Sequence, residues 1–280
     1  MQQLQNSLKI GITGLGLIGG SIYKSFKESG FKNIFIHTTN SKTAETIKND
    51  GFIVSTNIAV LNGCDLIFVC SPISETTKMI KQIWSINNNA IYIDVASLKA
   101  DILSDIENTT TCKFIGSHPM AGTENSGFDA SMASLFNGAK WVLTPSKFVS
   151  QDEISFVKKL IETTGAKVLQ MDAIAHDKAV ALISHAPMLV AQGIMQTTLD
   201  EADAKILAAS GFRDMTRLAL SNKVMAKDML TLNKANIKEA LENIIKSANA
   251  LLDDEFFADN IDNIIDARKS MYNKDGKNVL

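Results

Sequence analysis

The chain has 280 residues, 45% of them apolar and 21% charged, and a formal net charge of −2. That balance, with no basic run, excludes a nucleic-acid surface, so any anionic ligand must be held by a few placed cations. Three scattered cysteines (Cys64, Cys70, Cys112) form no CxxC pair and sit beside no histidine, which fits free thiols in a reducing cytoplasm and excludes a disulfide framework or a metal site.

The opening MQQLQNSLKI has neither the basic nor the apolar region of a signal peptide. KIGITG then reads as a buried strand running into Gly14-x-Gly16-x-x-Gly19, with a helix predicted over 17–29. In this pattern Gly14 permits a tight turn, Gly16 lets backbone approach a pyrophosphate, and Gly19 lets helix pack on strand. The phosphates then meet free N–H groups at the helix N-terminus. With Leu15, Leu17 and Ile18, these glycines form the candidate cofactor-binding turn. In the second strand, IFIHTTNSK (34–42), no carboxylate lies between Phe31 and Lys42 to bond a ribose 2′-hydroxyl. Thr38, Thr39, Asn40 and Ser41 are able to bond a 2′-phosphate and Lys42 to neutralise it, which favours NADP slightly over NAD. His37 reads as packing against adenine or filling space.

Further strands are predicted at DLIFVCSP, AIYIDV, FIGSH and KWVLTP, and helices at 74–86 and 99–107. A helix–strand pair, EISFVKKLIETTG and AKVLQM, closes the region. This alternation predicts a doubly wound, Rossmann-type domain with a parallel sheet over 1–171. From 172 to 280 only helical patterns remain. The run 173–199 is apolar on nearly all faces and reads as a helix buried in a core or interface rather than a membrane span. Ile237, Leu241, Ile244, Ile245, Ala248, Leu251 and Leu252 form a stripe at helical spacing. Both are expected to bury against a second copy, making a homodimer through an all-α domain.

In an open α/β sheet, ligands bind outside the carboxyl ends of the strands. There stand Ser71-Pro72 after FVC, Ser97 and Lys99 after YIDVA, and His118 after FIG. SHPMAGTENSG (117–127) is broken by Gly, Pro, Ser and Asn and reads as a loop. A dehydrogenase acting on an alcohol needs a base for the hydroxyl proton, and imidazole titrates near working pH. His118 is the candidate base, with Ser97 to orient it or share the substrate hydroxyl. Arg213 and Arg217 are four residues apart on an expected helix after Gly211, where they share a face suited to carboxylates. His176 and His185 lie nine residues apart, about 180° round an ideal helix, so they cannot both face one pocket without a bend, for which Pro187 is the candidate. His176-Asp177 reads as a hydrogen-bond pair at the domain junction, and His185 as the site-facing ring.

GLGLIGGS (14–21), DVASLK (94–99), SHPMAGTENSG (117–127), HD (176–177), SHAP (184–187) and GFRDMTR (211–217) resemble, in order and spacing, the prephenate dehydrogenases. That family includes arogenate and cyclohexadienyl dehydrogenases, and the resemblance covers roughly 8–255. It implies oxidative decarboxylation of prephenate to 4-hydroxyphenylpyruvate in tyrosine biosynthesis, with an NAD(P)+ cofactor. The resemblance gives His118 the role of proton acceptor, Ser97 that of its assistant, and Arg217 that of binding a substrate carboxylate. It gives Glu124 and Asp214 the shaping and gating of the site. The chain departs from the family where Met188 replaces the second histidine of SHLPH and Ala226 replaces a tryptophan. Those positions bear on whether the substrate is prephenate or arogenate, and on feedback by tyrosine. No fused mutase segment or regulatory domain is expected, and the expected compartment is the cytoplasm. A β-hydroxyacid dehydrogenase is disfavoured because 173–199 offers only Lys178 as acid/base. A non-catalytic NAD(P) sensor is disfavoured because it has no use for His118, Ser97 and Arg217.

Overall fold

The computed structural model describes residues 2–123 and 125–272. Eight strands share one sheet: β1 (Lys9–Thr13), β2 (Asn33–His37), β3 (Ile53–Ser55), β4 (Leu66–Val69), β5 (Ile91–Asp94), β6 (Phe114–Pro119), β7 (Lys140–Pro145) and β8 (Lys167–Gln170). Their order is β3-β2-β1-β4-β5-β6-β7-β8. The first six are parallel, in the 3-2-1-4-5-6 order whose reversal beside β1 opens a dinucleotide crevice.

The expected all-parallel sheet is corrected at its far edge. β7 runs antiparallel to β6, and β8 follows β7. Parallel neighbours need a crossover, usually a helix. Between β6 and β7 the described residues form only a short 3₁₀ turn, Ala133–Phe136, and the chain returns in the opposite direction. In the sheet domain one strand and two α-helices escaped the sequence pattern. β3 has three residues, and the helices Gln2–Ser7 and Ser41–Asn49 are short and mostly polar.

The sheet is covered on both faces, as its unbroken apolar runs require. Along β4, Leu66 and Phe68 enter one core with Tyr23, Phe26 and Trp141. The alternate residues Ile67 and Val69 enter the other with Ile80, Ile83 and Ile106.

Beyond β8 the described residues up to Met271 form helices joined by turns. The predicted 173–199 helix is observed as Ala173–Val180, a π-turn over Ala181–His185, and Ala186–Thr197. Pro187 explains the interruption: it has no N–H for the Ile183 carbonyl, and its ring crowds that carbonyl. The widened turn lets Ala186 N–H reach back to the Ala181 carbonyl instead. All-round burial is not observed, since Ile174, Leu182, Ile183 and Leu199 are half or more exposed. Along Lys234–Ala250, Ile237 and Ala240 are buried in a small helical core, while Ile245 and, just beyond, Leu252 face outward.

Candidate active site

β1 delivers the chain to Gly14, whose φ of 84° is left-handed. A Cβ there would lie 2.4 Å from the Cys70 carbonyl oxygen, and one on Gly19 would lie 2.0 Å from the Gly14 oxygen. Both positions are closed to any larger residue. A Cβ on Gly16 would meet nothing within 4 Å, so this glycine faces open space. Gly16 also precedes helix Leu17–Glu28, and among the described residues no side chain caps that helix. Open space over uncapped N–H groups is what a pyrophosphate requires, so these residues fit a dinucleotide. Leu15 and Ile18 pack half-buried against the sheet core and carry the turn's backbone.

At the end of β2, Thr38 is buried, and its Oγ accepts the Asn40 N–H at 3.3 Å. Asn40 caps helix Ser41–Asn49 by accepting from Thr43 N–H, leaving Thr39 and Ser41 exposed. Lys42 pairs at 3.3 Å with Asp129, both side chains more than 80% exposed. His37 Nδ1 lies 2.8 Å from Thr13 Oγ and ties β1 to β2. Across the crevice, Ser71 Oγ shares a hydrogen bond with Thr76 Oγ at 3.2 Å, and Pro72 opens helix Ile73–Trp84.

Ser117 and His118 read both as the end of the strand FIGSH and as the start of the loop 117–127; the strand reading holds, and β6 extends one residue further, to Pro119, with His118 opposite Val142 of β7. The antiparallel return of β7, invisible to local patterning, extends the strand. Ser117 is clamped on every side. Asp94 accepts its N–H at 2.7 Å, Lys99 Nζ donates to its carbonyl at 2.8 Å, and Trp141 Nε1 donates to its Oγ at 2.9 Å. Asp94 and Lys99 form a fully buried ion pair. Burial pushes the Asp94 carboxyl up and the Lys99 ammonium down, each held against that shift by its partner's charge. Between them in sequence, Ser97 Oγ is buried with no hydrogen-bond partner among the described residues. A buried unpartnered hydroxyl is costly unless a ligand satisfies it.

His118 Nδ1 lies 3.0 Å from Nε2 of His176, and His176 Nδ1 lies 2.8 Å from the Asp177 carboxylate. That carboxylate also accepts the N–H groups of Lys99 and Ala100, each at 2.9 Å, capping helix Ala100–Thr109 from outside. His176, read from the sequence as a junction residue, is therefore the ring that touches His118. Its sequence signals were a titratable pair near the start of an otherwise apolar helix and the place of HD (176–177) among the motifs of the resemblance. His185 is also buried, 3.3 Å from Asn233 Nδ2, which donates in addition to the Asp177 carbonyl at 2.9 Å. The π-turn turns the helix about 100° less than regular winding would, so both imidazoles face the interior despite their spacing.

His118 is held well below the ordinary histidine range, chiefly by burial and then by its neighbours His176, Lys99 and His185. Burial also lowers His185, to about 4, against the pull of Asp177. A ring that stays neutral when folded but takes a proton near pH 6.5 when unfolded loses stability as pH falls through that window. Between pH 7 and pH 5 this ring should cost the wild type about 2 kcal/mol. Urea midpoints of wild type and His185→Gln at the two pH values check this: the variant should lose less, and equal losses would refute it.

Arg213 and Arg217 are exposed. The expected helix is Ser210–Thr216, so Arg217 lies at its C-cap, where a 3₁₀ turn (Arg217–Leu220) begins, rather than one turn inside it. Arg213 Nε lies 3.3 Å from Asp214. None of these three hydrogen-bonds to the histidine cluster. Glu124 lies outside the described residues. Met188 and Ala226 are both buried.

The sheet order, the open glycine turn and a partly buried imidazole at the strand ends, held below the ordinary histidine range, define a dinucleotide-dependent dehydrogenase, completed by a helical domain. The family description "Prephenate dehydrogenase, nucleotide-binding domain" matches residues 22–170, and "Prephenate dehydrogenase, dimerization domain" matches 172–265. The chain belongs to the prephenate dehydrogenase family. A prephenate dehydrogenase of Lactococcus lactis is 33% identical over 250 residues, spanning 85% of this chain and 68% of that protein. One of Bacillus subtilis is 28% identical over 268 residues, spanning 90% and 70%. The crystal structure of prephenate dehydrogenase from A. aeolicus with hydroxyphenyl propionate and NAD+ is similar at a TM-score of 0.83. It is 31% identical, covering 93% of this chain and 96% of that one. Synechocystis arogenate dehydrogenase is similar at a TM-score of 0.77 and 29% identity, covering 88% and 91%.

Proposed function

We propose that this enzyme oxidatively decarboxylates prephenate to 4-hydroxyphenylpyruvate in tyrosine biosynthesis. A nicotinamide dinucleotide bound over Gly14, Gly16 and Gly19 supplies the hydride acceptor. His118 takes the proton of the ring hydroxyl, and Ser97 hydrogen-bonds the same oxygen. Arg217, with Arg213 nearby, binds a substrate carboxylate, and Asp214 orients Arg213. Loss of the ring carboxylate as CO₂ leaves an aromatic product, which makes the reaction effectively irreversible. The observation that carries this reading is the His118 ring near the carboxyl end of β6, 3.0 Å from His176 and held below the ordinary histidine range, in a chain whose two halves both match the family.

NADP is favoured over NAD. No carboxylate ends β2, Thr39 and Ser41 are exposed, and the exposed Lys42–Asp129 pair is of the kind worth little, easily exchanged for a phosphate. The enzyme acts in the cytoplasm as a homodimer through its helical domain. Supporting the dimer, Ile206, Leu207, Leu220 and Leu252 are all more than 70% exposed in the single chain. Arogenate is the alternative substrate, with the same chemistry at His118 and a different side-chain end near Met188 and Ala226.

The test is absorbance of the reduced nicotinamide after mixing protein with prephenate and NADP, then NAD, then arogenate. Formation with prephenate, faster with NADP, is expected. Faster turnover of arogenate would reassign the substrate, faster use of NAD would reverse the cofactor preference, and no reduction with either substrate would leave a cofactor-sensing protein.

A further inference from the structure

We propose that His176 and Asp177 are positioning residues that fix the tautomer of His118, leaving its Nε2 bare to take the substrate's proton. This rests on His118 being the base.

The assignment follows from counting donors. An ionised carboxylate only accepts hydrogen bonds. Asp177 accepts two backbone N–H groups, from Lys99 and Ala100, and stands 2.8 Å from His176 Nδ1. His176 Nδ1 must therefore carry hydrogen. A neutral imidazole has one N–H, so His176 Nε2 is an acceptor. The atom 3.0 Å from it is His118 Nδ1, which must then be the donor. His118 has one nitrogen left, Nε2, and it carries the lone pair.

The groups facing His118 favour its neutral form. Asp94 and Lys99 form a closed ion pair at the end of β5, His176 and Asp177 lie on the helix, and His185 is a buried neutral ring at the π-turn. When His118 Nε2 gains the hydroxyl proton, the ring becomes a cation with two N–H groups. Its Nδ1–H then points at a neutral imidazole backed by a carboxylate, so the new charge is drawn along the line toward Asp177. The device also joins the domains: His118 is on the sheet, and both residues that orient it are on the first helix beyond it.

Asp177→Asn tests the direction of this chain. The amide oxygen, in the place of Oδ2, remains for the N–H groups of Ala100 at 2.9 Å and Lys99 at 3.2 Å, and the amide nitrogen, in the place of Oδ1, faces His176 Nδ1, reversing each donor in turn until His118 is protonated on Nε2. The chain has four histidines, so ¹⁵N spectra of histidine-labelled enzyme contain four rings, and His118→Asn assigns the one in question. In wild type without substrate, His118 should show hydrogen on Nδ1. In Asp177→Asn it should show hydrogen on Nε2, with kcat reduced roughly 10²–10⁴-fold and the dinucleotide KM unchanged. Hydrogen on Nε2 in wild type overturns the proposal, as does an Asp177→Asn enzyme that keeps both tautomer and turnover. Should that variant not fold, His176→Gln serves instead. Its amide accepts from His118 and donates to Asp177, so tautomer and most turnover should survive; their loss overturns the proposal. The tautomer is read in resting enzyme, so failure of His118 as the base, seen as normal turnover in His118→Asn, is a separate result.

Discussion

His118→Asn should lower turnover roughly 10²–10⁴-fold, the usual cost of a lost general base, with dinucleotide affinity nearly unchanged. The asparagine amide still reaches toward His176, so β6 and the helix junction keep their contacts, but no basic lone pair faces the crevice. Steady-state absorbance measurements with prephenate check the loss, and protein fluorescence titration with the dinucleotide checks binding. Near-normal turnover would remove His118 from the chemistry. The same residue fixes the expected pH dependence. A base must be neutral to act, and burial lowers the pKa of His118, so it stays neutral at pH values where an ordinary histidine is already charged. In wild type the acid limb of kcat/KM should therefore lie below the ordinary value of about 6.5. A limb at or above that value would mean that His118 is not held in its neutral form.

The largest expected effect on stability is that of Lys99→Met. Methionine fills much the same volume but leaves Asp94 buried without its cation, and breaking a buried pair from one side costs about 3–5 kcal/mol. Lys99 Nζ also holds the Ser117 carbonyl, so the loss frees an acceptor in the strand that carries His118. Denaturant unfolding checks the size. The double variant Asp94→Asn, Lys99→Met should recover part of the loss, because the uncompensated charge is gone. A single variant as stable as wild type would mean that the pair contributes nothing net.

Much of the fold was legible because local chemistry dictates it. Gly14 and Gly19 can be nothing else where backbone oxygens lie within 2.4 Å of the Cβ position, and the helix after them follows from periodicity alone. The strands of β1, β2 and β4 to β7 announce themselves as short apolar runs because both faces of the sheet are covered. β3 was missed because three residues carry no period, and the reversal of β7 because strand direction is a property of the return path. The sequence placed His118, Ser97 and Lys99 at the strand ends, and the structure has them at the ends of β5 and β6. Their wiring was not legible, since Asp177 reaches Lys99 across 78 residues and His176 reaches His118 across 58.

The sequence by itself determined a dinucleotide fold, a rare histidine at its edge and a helical second half, because glycine turns and apolar periods act over a few residues. Only the tertiary structure decided which histidine faces which. That choice depends on a π-turn before Pro187 and on docking one helix against the end of β5, so that Asp177 caps a helix in the other domain. Hydrogen-bond direction is set by whole networks, and this one closes only when both halves of the chain are folded and packed together.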